Sequence, residues 1–528
     1  MASLPDLISF LDVLLRGAVL SGQALTLGGI VFALLILRPL AWRETDPAPL
    51  LRPTLRLAAL GAAAVAATQV LALFLQAASL ADERGWPLSR LIDTPFFRAS
   101  LVRVAAALGV IAACRFLGQR PRARAGWAAL IGLALALAGG SAWLSHGAAR
   151  LESRGVLIGV DALHQIAAAV WVGGLVHLFA AARQAEGTRA SSVLRRFSTV
   201  AVAAVAVLLV GGVALALYYV DGIRALLGTA YGWMLLAKGV LLAALLLLGG
   251  LNLLSVRARS PRAAAPAARL RWLVEAEIGL GVTALFVAAS LTSLPPSVDV
   301  VADRATLAEV STRFTPQWPT LRSPSRAELP LADSEAPRTA EDVSWSEFNH
   351  HWSGLFVIAM GLLALLERTG RSPWARHWPL LFLGLAGFIL VRGDPGAWPL
   401  GPKGFWESLV ALPVLQHRFF AALTVTFGVF EWMVRSGHLR SPRWALVFPL
   451  LSAVAGALLL VHSHALTDLK AEFLVEATHI PLGLLAILVA GARWLEVRLS
   501  PPDNRAPGWL WTVGFTLVGV LLLLYREA

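Results

Sequence analysis

Residues 197–220 read FSTVAVAAVAVLLVGGVALALYYV, a run of 24 residues without one charged side chain. As a single helix this run is long enough to cross the hydrocarbon core of a bilayer. Similar runs recur along the 528 residues, of which 57% are hydrophobic and only 15% are charged. A water-soluble protein of this length would need more charge to cover its surface. The sequence therefore predicts an all-α fold, a polytopic transmembrane helical bundle.

The chain carries about fourteen such runs, each long enough for one membrane-spanning helix. A first module of eight spans, residues 1–294, precedes a polar linker at residues 295–349 that holds seven prolines. A second module of six spans follows at residues 350–528 and is rich in histidine. The predicted spans are residues 7–37, 55–80, 97–117, 126–146, 156–182, 197–220, 231–256, 271–294, 351–367, 378–393, 416–434, 444–464, 472–494 and 508–525.

Basic and mixed-charge loops alternate along the chain. Arginines crowd every second loop, as at residues 115–124 and 183–196, whereas the loops between them mix acidic and basic residues. By the positive-inside rule the arginine-rich loops face the cytoplasm, which places both termini on the periplasmic side of a bacterial inner membrane. The net charge of +13 is therefore explained by topology and predicts no nucleic-acid partner. Because the N-terminus lacks a basic region, the first run is predicted to be a retained span.

Cysteine and methionine are scarce. Cys114 is the single cysteine, which excludes an intramolecular disulfide and a CxxC metal motif, and only four methionines occur. A metal site would therefore rely on imidazole and carboxylate ligands. The sequence has no GxxxxGK[ST] phosphate loop, so any transport is predicted to be downhill or coupled to an ion or redox gradient.

Most of the eleven histidines fall on the side opposite the arginine-rich loops. Those of the second module come from four predicted spans: His350 and His351 open one, His417 opens another, His462 and His464 close a third, and His479 lies in the outer half of the next. Glu476 and His479 are three residues apart and share a helix face. Imidazoles delivered by several helices to one depth suit a three- or four-coordinate copper or zinc site. We predict such a metal site, against the alternative that these residues are polar groups at the membrane interface.

A second candidate site lies inside the first module. Asp161 and His164 are one helical turn apart, and Trp171 lies two turns further along the same face. His164 is placed about two turns, or ~12 Å, inside the outer end of its helix. Asp161 is predicted to orient His164 by accepting its second ring proton, and His146, which closes the preceding span, is expected to reach the same region. The alternative is that Asp161 and His164 form a hydrogen-bonded pair between helices and bind no ligand.

These motifs resemble the copper resistance protein D (CopD/PcoD) family of bacterial inner-membrane proteins. In the first module the resemblance rests on eight spans, Ser145-His-Gly147, the helix Asp161…His164…Trp171-Val-Gly-Gly174 and Ser293-Leu-Pro-Pro296. The second module is similar to an extension found in longer members of that family. The matching strings there are Asn349-His-His-Trp-Ser-Gly354, Arg376-His-Trp-Pro379, Asp394-Pro395, Trp398-Pro-Leu-Gly401, Gln416-His-Arg418, Phe430-Glu-Trp432, His462-Ser-His464 and Glu476-Ala-Thr-His479.

The resemblance implies copper as the metal, a role in copper resistance and passage of copper across the inner membrane, and a transporter rather than an enzyme. It also implies a periplasmic copper carrier of the CopC type as a partner. His146 and His164 would handle copper in the first module, with Asp161 in support. The histidines of the second module would form a periplasmic site that acquires or stores copper.

Two other functions fit the same residues. Helical bundles also hold haem between two axial imidazoles, so a membrane b-type cytochrome or quinol oxidoreductase is the main alternative, with ligands from separate helices such as His146 and His164. A copper sensor or assembly factor that binds metal without moving it is the third hypothesis.

Overall fold

A computed structural model describes residues 4–84, 88–183, 187–257, 265–325, 339–410, 412–461 and 469–527 of the chain. These residues form helices and connecting turns, and the only β-structure among them is an isolated bridge between Ala397 and Lys403. The predicted all-α class is therefore confirmed. The chain divides into two compact units. We call Ile8–Leu226 with Met234–Val301 the N-terminal unit, and Met1–Leu7 and Leu227–Trp233 with Ala302–Ala528 the C-terminal unit.

The eight long helices up to Val301 lie mainly in the N-terminal unit. They are α1 from Leu4 to Ala41, α2 Ala48–Arg84, α3 Pro95–Gln119, α4 Arg124–Ala142, α5 Arg154–Ala182, α6 Gly187–Tyr219, α7 Ala230–Arg257 and α8 Ala265–Ser293. Two of them contain a stretch of π-helix, Phe32–Leu37 in α1 and Ala169–Gly173 in α5. Such widened turns concentrate at functional sites in helical proteins.

The C-terminal unit contains a short helix, Leu307–Phe314, and six longer ones. These are α9 Ala340–Arg368, α10 Pro373–Arg392, α11 Leu412–Arg435, α12 Val447–Val461, α13 Leu469–Arg498 and α14 Arg505–Leu523. In the part of the chain that the structure describes, twelve helices are long and apolar enough to cross a membrane, namely α1 to α10, α13 and α14. The chain is thus a multi-pass membrane protein, while the two further crossings predicted at residues 416–434 and 444–464, which overlap α11 and α12, stay a prediction.

One predicted boundary was wrong. The span placed at residues 351–367 belongs to a helix that begins at Ala340, so His350 and His351 lie well inside α9 and do not open it. The cause is a capping box, in which Thr339 accepts the backbone N–H of Asp342 and Asp342 accepts that of Thr339. A search for apolar length alone overlooks the polar first turns of such a helix.

A close crossing of α1 and α5 packs the middle of the N-terminal unit. A Cβ atom added at Gly173 would lie 1.8 Å from the carbonyl oxygen of Ala24, and one at Gly28 would lie 2.4 Å from that of Ala169. Glycine on both helices therefore allows their backbones to touch. The π-helical turn of α5 lies at this crossing.

Buried ion pairs tie the helices of the C-terminal unit together. Arg435 of α11 donates to Glu367 of α9 at 2.6 Å and to the fully buried Glu431 at 2.7 Å. Glu496 of α13 accepts from Arg493 and from the indole of Trp511 in α14, both at 2.5 Å. These five charged side chains thus each have an opposite charge beside them, which offsets part of the cost of their burial.

Candidate functional site

His164 is held by the neighbouring helix α6. Its Nδ1 lies 3.0 Å from the carbonyl oxygen of Leu208, so Nδ1–H donates to that oxygen and the lone pair of the ring is on Nε2. Gly212, one turn further along α6, faces the ring: a Cβ atom there would be 3.1 Å from Cε1 of His164. The imidazole is therefore fixed in the tautomer and orientation that a metal ligand needs.

The predicted pairing of Asp161 with His164 was wrong. Asp161 accepts a 2.6 Å hydrogen bond from the amide of Gln165, one turn along α5, while the second proton of His164 goes to α6. Lys238 of α7 interacts electrostatically with both Asp161 and His164. The two residues thus share a charged neighbour, but not a hydrogen bond.

A polar network leads from Asp161 into the bundle. Gln23 of α1 donates to Gln165 at 3.2 Å and accepts from the buried Arg103 of α3 at 3.4 Å. The other contacts of the network are Arg103 to Gln69 at 2.8 Å and Gln69 to Ser100 at 2.9 Å. Polar side chains of four helices therefore meet inside the N-terminal unit, a feature that marks functional sites in membrane proteins.

His146 begins the short 3-10 helix His146–Ala149 between α4 and α5. Its ring packs edge-on against Tyr219, with the centroids 6.0 Å apart, and it is hydrogen-bonded to the backbone of Leu291. Burial lowers the pKa of His146, which favours the neutral imidazole that binds metals. The expected reach of His146 toward His164 stays a prediction.

Sequence reasoning did not find a third polar group, around Glu277 of α8. The carboxylate is 2% exposed and accepts one hydrogen bond on each oxygen, from the Trp171 indole at 2.9 Å and from the Asn252 amide at 2.7 Å. Trp171, Asn252 and Glu277 come from three separated parts of the sequence, so only Trp171, which belongs to the motif of α5, gave a signal.

In the C-terminal unit two of the predicted ligands come together. The rings of His350 in α9 and His479 in α13 have centroids 6.0 Å apart, and Tyr525 stacks on His350 at 3.9 Å. Each histidine places Nδ1 next to the carbonyl oxygen four residues earlier, at 2.8 Å for His350 and 2.9 Å for His479. In both rings Nε2 therefore carries the lone pair, as in His164.

His351 and His417 have different surroundings. The Nδ1 of His351 accepts the backbone N–H of Thr320 at 2.8 Å, and its Nε2–H donates to the carbonyl of Tyr525 at 2.9 Å. The Nδ1 of His417 pairs with the carboxylate of Asp394 at 3.0 Å. A carboxylate–imidazole pair of the kind predicted for Asp161 and His164 thus occurs at Asp394 and His417. There the Asp394 carboxylate orients the His417 ring and leaves its Nε2 for a ligand.

The remaining predicted ligands are less defined. Glu476 is half-buried on α13, three residues before His479. His462 and His464 lie outside the described residues. Within the described ranges, no three His, Cys, Asp or Glu side chains are close enough to hold a metal ion. His350 and His479 are thus two predicted ligands from different helices whose rings lie side by side in the described part of the chain.

The fold and its polar groups define a multi-pass helical membrane protein with histidines set into each of its two units. A family model, copper resistance protein D (CopD), matches residues 191–291, which lie in α6, α7 and most of α8. The resemblance to the CopD family is therefore confirmed over this part of the chain. The chain is also similar to the copper transport protein CutJ of Bacillus subtilis (strain 168), with 34% identity over 152 residues. That alignment covers 28% of this chain and 27% of the relative, so it spans about a quarter of that protein. No solved structure matches the chain.

Proposed function

We propose that the chain is a copper-handling protein of the bacterial inner membrane that moves copper through its N-terminal unit and contributes to copper resistance or homeostasis. The observation that carries this proposal is the contact between His164 and α6. Leu208 and Gly212, which fix the imidazole, both lie in the segment that matches CopD. The segment that matches CopD therefore contacts His164, the histidine whose own motif resembles the CopD family.

The chemistry of this site suits a permeating ion. His164 presents Nε2 from the middle third of α5, and Asp161 contributes negative charge one turn away. The polar network from Gln165 to Arg103 offers further groups away from lipid. A path lined by one imidazole and several weak oxygen and nitrogen ligands allows an ion to enter and to leave again.

The C-terminal unit would receive copper before transport. We place the first two ligands at His350 and His479, because both rings carry the Nε2 lone pair and they lie side by side. The other proposed members of this outer site are His417, His462, His464 and Glu476. His351, although predicted from the sequence, is left out of the proposed ligands because both of its ring nitrogens bind the backbone. His146 would lie at the outer end of the N-terminal unit. A periplasmic copper carrier of the CopC type is the proposed donor.

Equilibrium copper binding to the purified full-length protein tests this assignment. We expect His164→Gln to remove one bound copper ion, and the double variant His350→Gln/His479→Gln to remove copper from a separate site. The control is His438→Gln, since His438 lies in a loop of the C-terminal unit beside Ser436. Unchanged stoichiometry and affinity in both histidine variants would contradict the proposed ligands, and an absorption spectrum with a Soret band would favour the haem-binding alternative.

A further inference from the structure

We propose that Glu277 is a proton-binding site whose protonation loosens the contact of α8 with α5 and α7, and that the transport cycle uses this proton. The coupling part of the inference rests on the proposed function, whereas the proton site does not. It starts from a carboxylate that is 2% exposed and whose two recorded donors, an indole and an amide, are both neutral.

An ionised carboxylate inside a membrane protein costs free energy unless a cation neutralises it. Among the residues that the structure describes, three titratable side chains on the helices packed against α8 have other partners. His177 of α5 contacts the carbonyl oxygen of Leu25, Lys238 of α7 interacts with Asp161 and His164, and Arg16 of α1 pairs with Asp12. On α8 itself the nearest ones are Arg271, which lies over the ring of Trp272, and Glu275. A proton is the smallest cation that can meet this need.

Protonation changes what Glu277 can do for its neighbours. As a carboxylate it accepts from Trp171 on one oxygen and from Asn252 on the other, and such bonds to a charged acceptor are roughly twice as strong as neutral ones. When a proton from the aqueous phase binds, one oxygen becomes an O–H donor and only a weak acceptor for the N–H that faces it. Both hydrogen bonds are then weakened, the one to the hydroxyl oxygen more strongly, and both are restored when the proton returns to the aqueous phase.

The backbone around Glu277 is irregular on α5 and lacks a side chain at Gly249 on α7. Trp171 lies in the π-helical turn Ala169–Gly173, where α5 departs from regular hydrogen bonding. On α7 a Cβ atom added at Gly249 would lie 3.2 Å from Oε1 of Glu277, so the glycine lets the carboxylate approach that helix closely. The carboxyl group of α8 therefore joins α5 at its π-helical turn and α7 beside Gly249, and two of these three helices, α7 and α8, contribute to the segment that matches CopD.

Infrared difference spectroscopy of the full-length protein in lipid vesicles, without metal, tests the proton site. As the pH is lowered, we expect a protonated-carboxyl C=O band that Glu277→Gln removes. The matched control Glu275→Gln, two residues away on the same helix, should keep the band. Trp171→Phe should keep the band but shift its frequency and pH midpoint, because the carboxyl loses one donor. Absence of the band from the unsubstituted protein throughout the pH range in which it stays folded, or its persistence in Glu277→Gln, would overturn the proposal.

Copper uptake into the same vesicles tests the coupling. We expect an imposed pH gradient to change the uptake rate of the unsubstituted protein and of Glu275→Gln, whereas Glu277→Gln should take up copper at the same rate with and without the gradient. An equal response to the gradient in Glu277→Gln would refute the coupling. If the unsubstituted protein takes up no copper, the proposed function fails while the infrared band still decides the proton site.

Discussion

The position of one proton distinguishes the histidines of this protein. His164, His350 and His479 each hold it on Nδ1 against a backbone carbonyl, and so present the lone pair of Nε2. The sequence predicted these residues as metal ligands from their depth and spacing. It could not predict the tautomer of His164, since the carbonyl that sets it comes from Leu208, 44 positions further along the chain.

His351 illustrates the opposite arrangement, in which both ring nitrogens bind the backbone. We expect His351→Ala to lower the free energy of unfolding by about 1–3 kcal/mol, because Thr320 N–H and the Tyr525 carbonyl lose their partner. Copper stoichiometry should stay the same. Thermal unfolding followed by circular dichroism, with metal analysis of the same samples, measures both. A lost copper ion with unchanged stability would identify His351 as a ligand instead.

Asp394 offers a test of how His417 is used. If His417 binds copper, Asp394→Asn should weaken copper binding by about 10–100-fold, because the carboxylate that orients the imidazole is replaced by a neutral amide. Competitive titration with a copper chelator measures the change. Equal affinity in Asp394→Asn and in the unsubstituted protein would remove His417 from the site.

At the scale of elements, glycine decides how closely the helices of the N-terminal unit approach. Gly173 of α5 lies against the backbone of α1 at Ala24, whereas Gly174 lies against the Phe197 ring of α6. The hydropathy of the sequence predicted where most of the long helices lie and about how long they are, because the thickness of the bilayer sets the length of an apolar run. It did not give the polar start of α9 at Ala340 or the π-helical turns, which depend on capping and on packing between helices.

The α1–α5 crossing predicts unequal effects of alanine along one helix. Gly173→Ala should destabilise the N-terminal unit by at least about 1–3 kcal/mol, since the new Cβ atom would lie 1.8 Å from the Ala24 carbonyl oxygen. Gly159→Ala, on the same helix with open space around it, should stabilise by about 0.5–1 kcal/mol. Thermal denaturation in detergent compares them. Equal melting temperatures for the two variants would contradict the close crossing.

At the scale of the whole molecule, composition and loop charge predicted the fold class, and the structure confirms a multi-pass helical protein. The orientation follows from arginine positions alone and awaits a test. The partners of buried polar groups were beyond the sequence, because residues such as Trp171, Asn252 and Glu277 meet only after folding. Hydrogen bonds between residues far apart in the sequence do not change the hydrophobic periodicity of either helix, so the sequence pattern does not reveal them.

Single-cysteine labelling tests the orientation, and the chain is well suited to it because Cys114 is its only cysteine and is buried. In a Cys114→Ala background, Leu151→Cys should react with a membrane-impermeant maleimide from the periplasmic side. Ser441→Cys should react only after the membrane is opened. Both positions are exposed in the folded chain. The reverse pattern would invert the topology and place the proposed copper-receiving histidines in the cytoplasm.

Copper flux through the N-terminal unit is the central claim, and uptake into vesicles that contain the full-length protein measures it most directly. With copper supplied on the periplasmic side, the unsubstituted protein and His438→Gln should load the vesicles, whereas His164→Gln should fall to the level of protein-free vesicles. Both variants must first show the melting temperature of the unsubstituted protein. Uptake by His164→Gln at the unsubstituted rate would contradict a path through this histidine.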